Sequence, residues 1–279
     1  MAKNTDRKIP WDPQRAAAWD KWFPILEAGA QVLSDRLVEL AGIGPGDRVL
    51  DVATGLGEPA ATAARRVGPD GHVDGVDLSP DMLAFAQRRA ERLSLGNIEF
   101  RVADADDLSV ADETYDAILC RWGLMFMPDL TATLTAFRKM LRQQCRIAAA
   151  IWGPPEGAPA LSMGNRIVLK FLGLPPPNEG PGTPFSLSDV EAAMRAFEAA
   201  GFRDVAGEWL TVTYRFQSVG EFVQFRRERS RPLEDRIAHF PTAQRDAAWR
   251  NVGEAAREYA DGDGIVRMDN KAFCISASR

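Results

Sequence analysis

A glycine-containing turn between a short apolar segment and a helical one constrains the fold most strongly. The segment from Val49 to Ala60 reads VLDVATGLGEPA, in which an apolar run leads through two glycines into a helical pattern. Short apolar runs are typical of strands that are buried on both faces. Glycines at the end of such a strand let the backbone approach a ligand closely. The segment therefore predicts a parallel sheet with a ligand at the carboxyl end of its first strand.

The alternation of strands and helices continues beyond this turn. Ser79 followed by Pro80 is typical of an N-cap and the first residue of a helix. We predict helices over 58–67, 80–93 and 130–141, and strands over 48–53, 73–77, 98–102, 116–120 and 146–152. This rhythm predicts an α/β protein with a Rossmann-like, doubly wound and mostly parallel sheet that has helices on both faces.

Two regions are predicted along the chain. Residues 1–42 form an N-terminal helical segment that covers the ligand pocket, and residues 43–279 form the α/β domain. The N-terminal helix is expected over Trp11 to Leu40, with Pro24 kinking or splitting it.

Two long insertions are expected to form a helical cap over the substrate. The first, 153–185, holds eight of the 18 prolines in the chain, and long loops of this kind are often functional. The second, 217–265, is predicted to be helical with breaks near Pro232 and Pro241. Between them, Ser188 and Glu191 match a capping box for a helix that ends before a glycine. Strands over 209–216 and 271–277 complete the prediction.

Charge and composition exclude several classes of protein. Thirty-four Lys and Arg against 39 Asp and Glu give a net charge of −5, which argues against nucleic acid as a partner. No apolar run approaches the roughly 20 residues of a membrane span. Residues 1–8 lack the apolar stretch of a secretory signal. Three well-separated cysteines suit a reducing compartment, so we expect a cytoplasmic protein.

Two acidic residues indicate which ligand the glycine turn binds. Asp51 lies four residues before Gly55, where a carboxylate would repel a pyrophosphate but would suit the α-ammonium of S-adenosylmethionine. Asp77 ends the next strand, 22 residues after Gly55, and can accept both hydroxyls of a ribose. Because NAD enzymes share the second feature and the G-x-G-x-x-A pattern, Asp51 alone separates the two cofactors.

A third acidic site follows the third predicted strand, in the segment 103–108. Asp104 at that turn can accept a hydrogen bond from an adenine amino group. The same residues are also typical of a solvated acidic loop. Carboxylates can bind hard cations, but adjacent Asp residues rarely converge on one ion, so we predict no metal site.

The order and spacing of these motifs resemble those of the class I S-adenosylmethionine-dependent methyltransferases, in the branch of the ubiquinone and menaquinone biosynthesis methyltransferases. The motifs that carry the resemblance are Asp51-x-x-x-Gly55-x-Gly57, Val76 to Met82, Asp104 to Leu108 and Tyr115 to Cys120. The resemblance implies a seven-stranded sheet whose seventh strand is antiparallel and lies at the sheet edge, with 271–277 as the candidate.

The resemblance also implies which residues hold the cofactor. Asp51 and Gly55 would hold the methionine end, Asp77 the ribose, and Leu78 with Met82 the adenine. The expected cofactor-binding residues are Asp51, Ala53, Thr54, Gly55, Gly57, Asp77, Leu78, Met82, Asp104, Ala105, Asp106 and Arg121.

Two departures from the family pattern are visible. Ala53 stands where many relatives have the first glycine of the turn. Arg142 to Cys145 stands where relatives usually have Pro-Gly-Gly, so that turn is expected to be less favourable locally.

The acceptor side carries weaker signals. The segment 121–126 follows the fourth predicted strand, and such loops face the ligand crevice. We expect substrate contacts from Trp19, Trp22, Trp122, Phe126 and His239, with His239 as a candidate general base. The aromatic residues are equally typical of core packing, and His239 of a helix surface. The basic segment 221–231 is typical of a solvated face, or of a site for an anionic substrate or an acidic partner.

We therefore predict methyl transfer from S-adenosylmethionine to a small-molecule acceptor, aromatic or hydrophobic, by in-line displacement at O, N or C. A cofactor-binding subunit without catalysis and an NAD-type oxidoreductase are the alternatives. Arsenic methylation would need exposed thiols, whereas Cys120, Cys145 and Cys274 lie in or beside predicted strands, which favours their burial. Oligomeric state stays open.

Overall fold

A seven-stranded sheet forms the centre of the protein in the computed structural model, which describes residues 13–108, 110–177 and 179–279. The strands are β1 Arg48–Val52, β2 His72–Asp77, β3 Ile98–Val102, β4 Tyr115–Arg121, β5 Leu141–Trp152, β6 Arg203–Phe216 and β7 Val266–Ser278. Their order across the sheet is β3-β2-β1-β4-β5-β7-β6. Within this sheet β7 runs in the direction opposite to that of the other six strands. The predicted fold class is confirmed.

The position of β7 differs from the prediction. It was expected at the sheet edge, but it lies between β5 and β6 and pairs with both. The reason is its apolar second half, because residues from Ala272 to Ala277 are all buried. The first half of β6 is largely exposed, which suits an edge strand.

The helices of the described chain flank the sheet or pack beside it. They are α1 Pro13–Leu40, α2 Ala60–Val67, α3 Pro80–Arg92, α4 Leu130–Met140, α5 Pro159–Phe171, α6 Val190–Ala199, α7 Val219–Arg229, α8 Arg231–Ile237 and α9 Thr242–Ala256. The predicted cap of α3 is confirmed, since the Ser79 hydroxyl accepts a hydrogen bond from the Met82 N–H at 3.2 Å. The predicted breaks near Pro232 and Pro241 are confirmed as the boundaries of α8 and α9.

Three local predictions are wrong. Pro24 does not split α1, because the helix is continuous from Pro13 to Leu40 and Pro24 lies exposed within it. Asp189, rather than Ser188, caps α6 by accepting a hydrogen bond from the Ala192 N–H at 2.8 Å. The expected turn at 142–145 lies inside β5, where the pairing with β4 shifts register and Gln144 has a φ of 64°. Trp11 lies outside the described residues.

Helix α1 contacts both the helices that follow the first strands and a helix of the second insertion. It packs against β5 and β6 and also contacts α2, α3 and α7. Its approach to β6 is close, because a Cβ at Gly29 would lie 2.4 Å from the Thr213 carbonyl oxygen. The insertion helices α5, α7 and α9 pack on one another beside it. Within the described part of the chain, no helix combines the length and the apolar character that crossing a membrane requires.

Candidate active site

Asp51 lies at the end of β1 and is fully buried. Its Oδ2 accepts hydrogen bonds from the Thr54 hydroxyl at 2.6 Å and the Ala60 N–H at 3.0 Å. Its Oδ1 has no hydrogen-bond partner among the described residues. Burial raises the pKa of Asp51 to about 7, against the opposing effects of the Thr54 hydroxyl and the nearby Arg121 charge. A buried carboxyl with one free oxygen can bind a cationic group.

The turn after Asp51 needs left-handed backbone at three positions. Gly55 and Gly57 have φ values of 56° and 86°, which glycine adopts without steric cost. Ala53 has a φ of 56°, which costs an L-residue free energy. Its backbone conformation explains why a glycine suits this position in relatives.

Asp77 joins the turns that follow β1 and β2. Its Oδ2 accepts a hydrogen bond from the Gly55 N–H at 2.9 Å, and its Oδ1 accepts one from the Ser79 N–H at 2.9 Å. Burial raises its pKa, and these backbone hydrogen bonds oppose that rise. Each carboxylate oxygen retains a second lone pair for a ligand hydroxyl. Met82 is buried beside Gly55, whereas Leu78 is 44% exposed.

The acidic loop after β3 is ordered by its own hydrogen bonds. The Asp104 Oδ1 accepts one from the Asp106 N–H at 3.2 Å, and Ala105 is buried between them. The Asp106 Oδ1 accepts a hydrogen bond from the Thr133 hydroxyl at 2.7 Å, which ties the loop to α4. The loop thus places Asp104 after the carboxyl end of β3, and its contact with adenine stays a prediction.

Arg121, at the end of β4, binds α1. Its Nη1 and Nη2 donate to the two carboxylate oxygens of Glu27 at 3.0 and 2.8 Å, and Nη1 also donates to the Ser34 hydroxyl at 2.7 Å. The two charged side chains are only 8% and 11% exposed. Burial alone would lower the pKa of Arg121, but Glu27 raises it above its ordinary value. The pair holds α1 over the cofactor side, and a contact between Arg121 and the cofactor stays a prediction.

The predicted aromatic residues occupy different places. The Trp122 ring stacks on Trp152 at 4.3 Å, and its Nε1 is buried without a hydrogen-bond partner among the described residues. Trp22 instead donates from Nε1 to Glu228 at 2.7 Å and packs edge-on against Phe225. Trp122 therefore offers a free donor at the end of β4, whereas Trp22 ties α1 to α7.

The remaining substrate candidates are more dispersed. Trp19 packs on a cluster that contains Leu56, from the glycine turn, and Met82. Phe126 is 38% exposed after β4. His239 is exposed in the segment between α8 and α9, with its ring 4.3 Å from that of Phe240. Trp19 is thus placed beside the cofactor turn, while no described contact joins His239 to it.

Sequence reasoning missed Glu27, Ser34 and Glu58. Glu58 follows the glycine turn, is buried, and accepts a hydrogen bond from Arg89 Nη2 at 2.7 Å, which fixes the turn to α3. Nothing in the local sequence indicates that contact. Glu27 and Ser34 lie seven residues apart on the buried face of α1. Polar residues on an otherwise apolar helix face were the signal that could have found them.

Comparisons with known proteins agree with this geometry. The model of a methyltransferase domain family matches residues 49–144. The ubiquinone/menaquinone biosynthesis C-methyltransferase UbiE of Teredinibacter turnerae is 32% identical over 145 residues, which cover 51% of this chain and 58% of that protein. The corresponding protein of Ectopseudomonas oleovorans is 39% identical over 129 residues, covering 46% of this chain and 74% of that protein.

A solved structure is similar over a longer range. The S-adenosylmethionine-dependent methyltransferase from Aquifex aeolicus has a TM-score of 0.52 at 22% identity, covering 73% of this chain and 94% of that one. That likeness shows a shared fold. This chain spans 58% of the Teredinibacter protein, so the match with that relative is partial. The matches confirm the predicted family and its cofactor: the chain belongs to the class I S-adenosylmethionine-dependent methyltransferases.

Proposed function

We propose that this protein transfers a methyl group from S-adenosylmethionine to a small-molecule acceptor by in-line displacement. The observation that carries the proposal is the buried Oδ1 of Asp51, which has no hydrogen-bond partner among the described residues. Asp51 and Asp77 lie at the carboxyl ends of two neighbouring strands. The residues fit the cofactor in charge and position. Asp51 would hold the α-ammonium group, and Asp77 the ribose hydroxyls. Leu78 and Met82 would cover the adenine, and Asp104 with Ala105 would meet its edge.

The bound cofactor supplies an activated methyl group on a sulfonium. The chain supplies position and a polar, partly desolvated surrounding. Helix α1 covers the glycine turn through Trp19 and its neighbours, and the Glu27–Arg121 pair fixes the helix there. At the end of β4, the Trp122 ring stacks on the buried Trp152.

The acceptor side supports an aromatic or hydrophobic acceptor. Trp19, Trp122 and Phe126 present aromatic surface near the carboxyl ends of β1 and β4. Aromatic side chains bind flat apolar molecules well. His239 is proposed as a base only for acceptors that must lose a proton, because methyl transfer to other nucleophiles needs none.

Calorimetric titration tests the cofactor half of the proposal. We expect the wild-type protein to bind S-adenosylmethionine and S-adenosylhomocysteine in the micromolar range and not to bind NAD. Asp77→Ala should weaken binding by about 3 kcal/mol, since two hydrogen bonds to a charged group are lost. Asp70→Ala removes an exposed carboxylate from a turn at the opposite end of β2 and serves as the matched control. Unchanged affinity in Asp77→Ala would show that the ribose lies elsewhere.

We also propose a cytoplasmic location and no nucleic-acid partner. Cys120, Cys145 and Cys274 are all free thiols, which suits a reducing compartment. The net charge of −5 disfavours phosphate backbones as ligands. Fractionation of the native host would test the location.

A further inference from the structure

Arg229 ends α7 and packs against two aromatic rings. Its guanidinium carbon lies 3.6 Å from the ring centroid of Trp19 and 5.1 Å from that of Phe225. Its Nε is buried and has no hydrogen-bond partner, and among the described residues Arg229 forms no ion pair. An arginine in such a place ordinarily has a carboxylate partner.

Arg226, one helical turn earlier, also has a buried Nε without a hydrogen-bond partner among the described residues. It is 6% exposed and donates from Nη2 to the side-chain Oδ1 of Asn165 at 3.0 Å. Burial lowers the pKa of Arg226 to about 10 and that of Arg229 to about 9. The charge of Arg15 lowers the pKa of Arg229 further. Arg226 and Arg229 are therefore close together, and neither forms an ion pair with a carboxylate of the described residues.

The other charged residues of α7 behave differently. Arg227 pairs with Glu234 and Asp246, and Glu228 pairs with Lys21. The described carboxylates around α7 therefore form ion pairs on its more exposed side. A buried charge without a counter-ion destabilises a fold, so the buried Arg226 and the buried Nε of Arg229 are candidates to bind an anionic ligand.

Arg229 lies close to the cofactor turn. Trp19, on which its guanidinium rests, also packs on the cluster that contains Leu56 and Met82. Met82 in turn borders Gly55, since a Cβ there would lie 3.5 Å from the Met82 methyl carbon. Trp19 therefore packs both on the arginine and on a cluster that includes residues of the cofactor side.

We propose that Arg229, supported by Arg226, binds an oxyanion of the acceptor, either a carboxylate or a phosphate. Arginine is suited to this role, since its planar donor group matches both anions. The anion supplies a counter-charge that the described residues do not give to Arg229, and it orients the apolar remainder of the acceptor toward the methyl donor. The inference deepens the proposed function and rests on it for the identity of the bound molecule as acceptor.

The test uses small probes and the full chain saturated with S-adenosylhomocysteine. Benzoate, phenyl phosphate and neutral benzamide are titrated by calorimetry, so that the two anions are distinguished from each other and from ring binding. We expect one or both anions to bind in the millimolar range or tighter, and benzamide to bind more weakly. Arg229→Gln should weaken anion binding by on the order of tenfold to a hundredfold and leave benzamide unchanged.

Arg227→Gln is the matched control, because it removes the same charge from the neighbouring position on the exposed side of α7. It should leave anion binding unchanged. Equal binding of benzamide and the anions, or no saturable binding of either anion, would overturn the proposal. Equal losses of anion affinity in Arg229→Gln and Arg227→Gln would also overturn it, because the effect would then depend only on net charge.

A stability measurement makes a second, independent test. If Arg229 awaits a ligand, Arg229→Met should raise the urea midpoint of the ligand-free protein, because an unpaired buried charge is removed. A lowered midpoint would show a structural arginine and overturn the proposal. The proposed function fails separately, through loss of S-adenosylhomocysteine binding in the wild-type protein, whatever the anions do.

Discussion

The cofactor side and the acceptor side of the crevice are built in different ways. On the cofactor side, contacts join residues that are close along the chain: Thr54 lies three residues from Asp51, and Gly55 lies 22 from Asp77. On the acceptor side, Trp22 binds Glu228 across 206 residues, and Glu27 of α1 binds Arg121, which connects the two sides, across 94. The cofactor side uses backbone N–H groups as donors, whereas the acceptor side uses buried charged and aromatic side chains.

The two sides also differ in how far they match the sequences of relatives. The family model matches residues 49–144, which include the cofactor turns but neither α1 nor α7. A backbone-built cofactor site depends on a short motif and can recur in many chains. Long-range side-chain pairs depend on elements far apart in this chain. Acceptor recognition is therefore expected to be particular to this protein.

We expect the largest loss of stability when the Glu27–Arg121 pair, which connects the two sides, is broken. Glu27→Gln leaves the buried Arg121 without its counter-charge and should lower the free energy of unfolding by about 3–5 kcal/mol. Arg36→Gln is the matched control, since it breaks another ion pair of α1 whose partners are each 38% exposed, and its effect should be much smaller. Urea denaturation followed by circular dichroism measures both. Equal losses would mean that the Glu27–Arg121 pair is no stronger than a surface pair.

The next prediction concerns the charge state of Asp51 on the cofactor side. Burial raises the pKa of Asp51 from 3.8 to about 7, so the folded ligand-free protein binds this proton more tightly than the unfolded chain does. Its stability should therefore fall as pH rises from about 4 through 7. Asp51→Asn should flatten that fall and stabilise the ligand-free protein at pH 8 by about 2–4 kcal/mol.

The same variant should bind S-adenosylhomocysteine poorly, because the counter-charge for the ammonium is gone. Urea midpoints across this pH range, measured with and without the ligand, check both outcomes. A wild-type stability that is flat between pH 4 and 8 would show that Asp51 is charged throughout.

The two sides also differ in how far sequence predicts them. Asp51, Gly55 and Asp77 were predicted because glycines, strand ends and acids recur at fixed spacing. Glu27 was missed, since its partner lies on a strand far along the chain. The edge position expected for β7 was wrong because strand order depends on which strand buries more apolar surface, and the prediction relied on the family pattern.

A smaller effect tests the packing of α1 on the sheet. Gly29→Ala places a Cβ 2.4 Å from the Thr213 carbonyl oxygen and 2.8 Å from a ring carbon of Tyr214. The helix must move outward, and we expect a loss of about 1–3 kcal/mol in unfolding free energy. Gly253→Ala adds the same methyl group to α9 at ordinary contact distance from Val219, so it should stabilise the protein by about 0.5–1 kcal/mol. A Gly29→Ala variant at least as stable as the wild-type protein would contradict the close approach of α1.

The smallest effect concerns the departure at Ala53 on the cofactor side. Its φ of 56° costs about 1–2 kcal/mol for an L-residue, whereas a glycine loses about 0.5–1 kcal/mol through its more flexible unfolded chain. Ala53→Gly should therefore stabilise the protein by about 0.5–1 kcal/mol. Ala61→Gly is the matched control, because Ala61 lies in α2 and the same change should cost about 1 kcal/mol there. Thermal unfolding compares the two. Destabilisation by both would mean that the turn tolerates Ala53 without strain, and that backbone geometry is not the reason for a glycine there in relatives.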